Sequence, residues 1–352
     1  MECSTRLERW EGQAGAREYW FSAREVGRAL ALVAAGESYR QAASVARRAA
    51  GRSQKRLTGN GRRRDPNLDG QLVANWVDSL APIVCAGELP GRWPDRLALD
   101  SREFRIDRGA RAGESFHVFA AVGHDEPGRP RVWRLAAFPR RTEADWEQFL
   151  ALCAGTPRLV VTDFDKALRK ALVGAFPRAA DRAAELRLCE LHLRRRLENA
   201  LAPLVDEPDH PVMRSFRHAL FDHDNWSRFE AQARRSDQHG ALPLPALMRW
   251  LDNYGETVAT QLQTRSSLGP NSIGAVEAIL HQVERAFHGR SQSFGNRTRL
   301  NLLLDLMTLH HNGAADPLRW ADRLRERLYY RGGTAPHQRP HDDPLGHPSL
   351  LT

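Results

Sequence analysis

The sequence predicts a mixed α/β protein in which a basic, helical N-terminal unit precedes a strand-rich core, itself interrupted by an all-helical insertion. Three observations predict it. Before residue 92 apolar residues recur at helical spacing, between 96 and 138 they alternate as in half-buried strands, and from 143 strands and helices take turns until helices and Pro-rich turns interrupt them between 201 and 270.

At 352 residues, with 41% apolar residues and a mean hydropathy of −0.55, the chain is long enough to bury a substantial core. Its apolar runs fall short of the roughly 20 residues that a membrane helix needs, and the opening MECSTRLERWEG lacks the apolar stretch of a signal peptide. A cytoplasmic, nucleoid-associated location without membrane attachment is expected. Cys3, Cys85, Cys153 and Cys189 are too scattered for a disulfide framework or a four-ligand zinc site. The net charge of +9 is concentrated: from Arg24 to Arg64 eleven Lys/Arg face only Glu25 and Glu37, which accounts for the whole excess. Such a segment suits a polyanion, and Arg40, Arg47, Arg48, Arg52, Lys55, Arg56, Arg62, Arg63 and Arg64 are its candidate DNA contacts.

Within that segment REVGRALALVAAG (24–36) places apolar residues at 26, 29, 30 and 33, with Gly36 as a stop. Ser38 is placed to cap a second helix that buries Tyr39, Ala42, Ala43 and Ala46. A third helix is expected over Leu68–Leu80, after a basic loop carrying Arg62, Arg63 and Arg64. Together they read as a helix-turn-helix-type unit with its linker, residues 23–92, behind a lead segment 1–22.

The core begins with RLALDSREFRI, which carries Asp100 at its centre, and SFHVFAAVG (115–123) and PRVWRLAAF (130–138) complete a three-stranded meander. Then come a helix over 143–153, the strand RLVVTD, the helix DKALRKALVGAF, a short strand ELRLC and the helix ELHLRRRLENAL. This order is the layout of a ribonuclease-H-like core, in which the first and fourth strands lie side by side and Asp100 faces Asp163. Two carboxylates there suit Mg²⁺, a hard ion that prefers oxygen ligands. Glu277, near the start of a helix in PNSIGAVEAILHQVERAFHGR, supplies a third for a two-metal site; Glu284, seven residues on, is its rival. Residues 93–202 form the first part of the core, 203–270 the helical insertion, 271–331 the final core helices and 332–352 a flexible tail.

Asp100 in LALDSREF, Asp163 in VVTDFDKALRKALVGAFP, Cys189 and His192 in LCELHLRRRL, and Asn271 and Glu277 in NSIGAVEAILHQVERAF resemble, in order and spacing, a bacterial insertion-sequence transposase of the Mutator-like type. The resemblance covers residues 95–330. It implies a ribonuclease-H-like fold on which Asp100, Asp163 and Glu277 form a DDE triad that binds Mg²⁺, with Mn²⁺ as substitute, and cuts and joins DNA. It also implies double-stranded DNA, element ends and target alike, as partner, with a homodimer assembled on it. Asp165 is the alternative second acid, although at a helix start it also reads as an N-cap. Cys189 and His192 are half of a zinc pattern without a second pair, so packing or hydrogen bonding beside the site is the expected role.

Further basic candidates for DNA contact are Arg194, Arg195, Arg196, Arg290, Arg297 and Arg299. In the insertion, Trp226 and Trp250 are expected in the core, with stacking on an unpaired base as the alternative. The sequence holds no GxxxxGK[ST] loop, so a nucleotide cofactor is not expected. A transposase-derived regulator that binds without cutting and a structure-selective nuclease are the competing functions.

Overall fold

Five strands form one mixed sheet in the order β3-β2-β1-β4-β5. The computed structural model describes residues 21–50, 68–106, 112–124, 129–163, 165–176, 184–220, 222–238, 244–264, 272–288 and 296–329. β1 (Arg96–Arg105), β2 (Ser115–His124) and β3 (Pro130–Phe138) make an antiparallel meander. After α4 (Glu143–Leu150), β4 (Leu159–Thr162) lies parallel to β1, and after α5 (Lys166–Ala175), β5 (Glu185–Leu188) lies parallel to β4. The first and fourth strands are thus neighbours, as their order in the sequence predicts.

Alternation along each strand divides the sheet between two cores. Leu97, Leu99, Phe119 and Val160 pack with Trp146, Phe149, Leu168 and Leu172 under α4 and α5. Ala98, Val118, Ala120, Leu159 and Val161 face the other way, onto α10 (Gly274–Phe287) and α11 (Arg297–His311). That second core also takes in α1 (Ala23–Ala34), α2 (Tyr39–Ala49), α3 (Gly70–Cys85) and α12 (Pro317–Tyr329).

The N-terminal helices therefore share their apolar face with the C-terminal ones. Ser22, Ser38 and Asp69 cap α1, α2 and α3 by accepting from backbone N–H groups. Val26, Leu30 and Val33 of α1 are fully buried. α1 crosses α12 so closely that a Cβ on Gly27 would stand 2.5 Å from the Pro317 carbonyl oxygen, which explains the glycine in mid-helix. α3 continues beyond the expected Leu80 to Cys85. Pro82 falls in its last turn, where it gives up a single N–H, and the buried Ala81, Val84 and Cys85 hold the extra turn in place.

Side-chain amides from helices cover both edges of the sheet. At β3, Asn301 of α11 accepts from the Ala137 N–H, and Asn312 both accepts from the Val132 N–H and donates to its carbonyl. At β5, the buried Gln261 of α9 (Pro245–Gln263) accepts from the Leu188 N–H and donates to the Leu188 carbonyl. These contacts satisfy strand-edge groups that would otherwise invite a further strand. They also dock the insertion: α6 (Glu190–Ala200), α7 (Pro211–Phe216), α8 (His223–Gln238) and α9 enclose a third core around Leu193, Leu197, Trp226, Phe229 and Trp250. Trp226 and Trp250 pack together at 6.0 Å between ring centroids, so both are core residues, unavailable to stack on a base.

Candidate active site

Strand pairing brings the first two candidate acids together. Ala98 of β1 pairs with Val161 of β4, and Asp100 and Asp163 each stand two residues further along, on the same face as that pair. This face looks towards α10, whose first turn carries Glu277. The grouping shows in the acidity of Asp100: burial first, then the charge of Asp163 and, more weakly, that of Glu277, push its pKa from 3.8 to about 7. The backbone N–H of Ser101, 2.7 Å from its carboxylate, opposes that rise without cancelling it.

Each of the other two acids meets a basic side chain. Arg141, between β3 and α4, donates to Asp163 Oδ2 at 2.8 Å and also pairs with Asp165. Glu277 lies 3.7 Å from Arg195 and 3.6 Å from His192, both on α6. Among the described residues no three Asp, Glu, His or Cys side chains are gathered tightly enough to hold a metal ion as they stand. The donor type is the one a hard divalent cation takes: two carboxylates on one face of the sheet, with the charge of a third, Glu277, felt at Asp100.

The rival acids have other duties. Asp165 is the N-cap of α5, its Oδ1 accepting from the Ala167 N–H at 2.7 Å and from the Leu168 N–H at 3.3 Å. Its other oxygen takes the Trp146 indole N–H. Glu284 is held by Arg102 of β1 at 2.7 Å and by His281 at 3.3 Å. Cys189 is wholly buried at the N-cap of α6; burial raises its thiol pKa, while N–H groups of His192, Ile273 and Leu191 directed at the sulfur pull it down. The sulfur therefore ties the start of α6 to the start of α10, which places His192 beside Glu277.

The model of the Mutator family of transposases matches residues 94–313, a span that contains all three acids. The chain belongs to the Mutator family of transposases. Membership makes it, in general terms, an enzyme of DNA cleavage and transfer with DNA as its partner. No individual curated protein matches the chain. None of the helices among the described residues is long and apolar enough to cross a membrane.

The candidate DNA contacts of this transposase-family chain divide into three groups. Arg40 and Arg48 are exposed on α2, with Arg47 half-buried beside them; Arg194 and Arg196 are exposed on α6, where Arg194 pairs with Glu198. Arg195 reaches Glu277, as described, and Arg297 stands half-buried at the start of α11. Arg299 is committed elsewhere: its guanidinium grips both oxygens of Asp78 and fastens α11 to α3. Arg52, Lys55, Arg56, Arg62, Arg63, Arg64 and Arg290 lie outside the described residues, as does Asn271, a candidate beside the acid site rather than a DNA contact. Sequence reasoning missed Arg141. Its only signal is a basic pair, Arg140-Arg141, just before the Thr142 N-cap of α4, and such pairs at turns usually read as solvated charge.

Proposed function

We propose that the chain is a DNA transposase that binds the ends of a mobile element and performs strand cleavage and strand transfer at a DDE triad of Asp100, Asp163 and Glu277. The observation that carries this reading is the shared register of Asp100 and Asp163 on neighbouring parallel strands, with the charge of Glu277 felt at Asp100. The strand order and the parallel β1–β4 pair support a ribonuclease-H-like core, and the short capped helices α1–α3 support a helix-turn-helix-type reader of duplex DNA.

In this reading Asp100, Asp163 and Glu277 hold Mg²⁺, or Mn²⁺ in its place. When bound, the ions supply Lewis-acid stabilisation of charge on the attacking and leaving oxygens of the phosphodiester. The three carboxylates orient that centre, and the rigid β1–β4 pair keeps two of them in register. His192 and Arg195 position Glu277, while exposed arginines of α2 and α6 neutralise backbone phosphates. The reaction requires no covalent protein intermediate, in keeping with a site built of acids and bases rather than an activated nucleophile.

The test is cleavage of a labelled duplex carrying the DNA that flanks the gene, with Mg²⁺ or Mn²⁺, by wild type and by Asp163→Asn. Metal-dependent 3′ hydroxyl ends that disappear in the variant are expected. End-specific binding with no cleavage under either metal would replace the reading with a recognition protein whose acids are silent.

A further inference from the structure

We propose that Arg141 is the resident counter-cation of the acid site: in the chain without metal and DNA it occupies the oxygen of Asp163 that a divalent ion needs, and it passes to a DNA phosphate when metal and duplex bind. The proposal rests on the reading of Asp163 as a metal ligand.

The geometry gives Arg141 two anchors of unequal commitment. Asp165 is already spent on the α5 cap and on the Trp146 indole, so it is a fixed post. Asp163 uses Oδ1 to accept from the Asp165 N–H at 2.9 Å and leaves Oδ2 to Arg141. The two aspartate side chains are only 16% and 10% exposed, whereas the Arg141 side chain is 33% exposed, so part of it stays open to solvent. A guanidinium has five N–H donors, so one that stays on Asp165 can still offer a pair to a phosphate. A dication arriving at Asp163 repels the guanidinium, and an incoming phosphate attracts it; both pushes act in the same direction.

The competing account is a structural bolt between the starts of α4 and α5. Each start is secured without Arg141, however. α4 has its own capping box of Thr142 and Asp145, and α5 has Asp165. A bolt would add little there, and it would not need to reach past Asp165 to Asp163.

The two accounts separate in a titration of the DNA-free full chain with Mn²⁺, followed by electron paramagnetic resonance. If the Arg141–Asp163 pair is closed about nine-tenths of the time, it weakens apparent metal affinity about tenfold. Arg141→Ala should then bind Mn²⁺ about tenfold more tightly than wild type, and Arg141→Lys should restore weak binding. Duplex DNA carrying the gene's flanks should tighten Mn²⁺ binding by the wild type about tenfold more than it tightens binding by the alanine variant, which has no Arg141 pair to open. Equal or weaker Mn²⁺ binding by Arg141→Ala, with binding still lost in Asp163→Asn, would overturn the role of Arg141 and leave the metal site standing. Wild-type Mn²⁺ binding by Asp163→Asn would overturn the metal reading itself, and this inference with it. Should circular dichroism find Arg141→Ala unfolded, Arg141→Gln, which keeps length without charge, carries the same comparison.

Discussion

Replacing Asp100 by Asn should stabilise the metal-free protein, and increasingly so as pH rises. A carboxyl whose pKa is 3.8 when unfolded and about 7 when folded holds its proton more tightly in the native state. Ionisation therefore opposes folding: the penalty is absent below the unfolded value, grows between the two values and is complete above the folded one. At roughly 1.4 kcal/mol per pH unit the full penalty is about 4 kcal/mol, and the solvent that still reaches this half-buried group brings the expected figure to about 2–4 kcal/mol. Asn keeps an oxygen to accept from the Ser101 N–H, so the variant removes charge and little else. The assay is urea denaturation of both proteins in chelator at pH 5.5 and pH 8. Asp100→Asn should be the more stable at both, with its advantage widening by about 1–2 kcal/mol at the higher pH. Saturating Mg²⁺ should stabilise the wild type and close the gap. A difference that does not change with pH, or a variant less stable at pH 8, would refute the idea that Asp100 belongs to a crowded carboxylate site.

Four other substitutions probe the site and its frame. Glu277→Gln should abolish strand cleavage while duplex affinity, measured by fluorescence anisotropy, stays within about threefold; Glu284→Gln should keep cleavage, because its half-exposed pair with Arg102 is worth at most about 1 kcal/mol. Gly27→Ala should cost about 1–3 kcal/mol in urea denaturation, since the new methyl cannot fit against the Pro317 carbonyl unless α1 and α12 part. Gln261→Leu should cost about 2–4 kcal/mol by leaving both polar groups of Leu188 unpaired, and hydrogen exchange should show the loss at β5 and α9 before the rest of the sheet.

How much of this was legible in the sequence follows from how local each signal is. Strand alternation and helical spacing depend on neighbours a few residues apart, so β1 to β5 and α4 to α6 could be read almost to their ends. The β1–β4 adjacency was legible because few topologies accommodate three antiparallel strands followed by strand–helix alternation. The shared core of α1–α3 with α11 and α12 was not, since nothing in a local pattern says which distant helix an apolar stripe will meet. α3 outran its expected end at Leu80 for a related reason: the burial of Val84 and Cys85 carries the helix through Pro82, and a local pattern does not show that burial. Arg299 likewise looked like any exposed arginine until Asp78, 221 residues away in sequence, was found to hold it.

The acids and their cations make the same point about function. Glu277 and Glu284 stand seven residues apart on one helix face, and spacing alone cannot rank them. What distinguishes them is the other side of the gap: α6 offers His192 and Arg195 to Glu277, and β1 offers Arg102 to Glu284. Arg102 is two residues beyond Asp100 on the same face of β1, so Glu284 is drawn past the acid cluster rather than into it. On the proposed reading, the chain folds before it meets metal or DNA and has to hold three carboxylates near one another without an ion. In this fold Asp163 leans on Arg141, Glu277 leans on α6, and Asp100, which burial and Asp163 push up and Ser101 and Arg141 relieve only in part, keeps a raised pKa. If the acids hold a divalent cation as proposed, Asp100 is the one with most to gain from it.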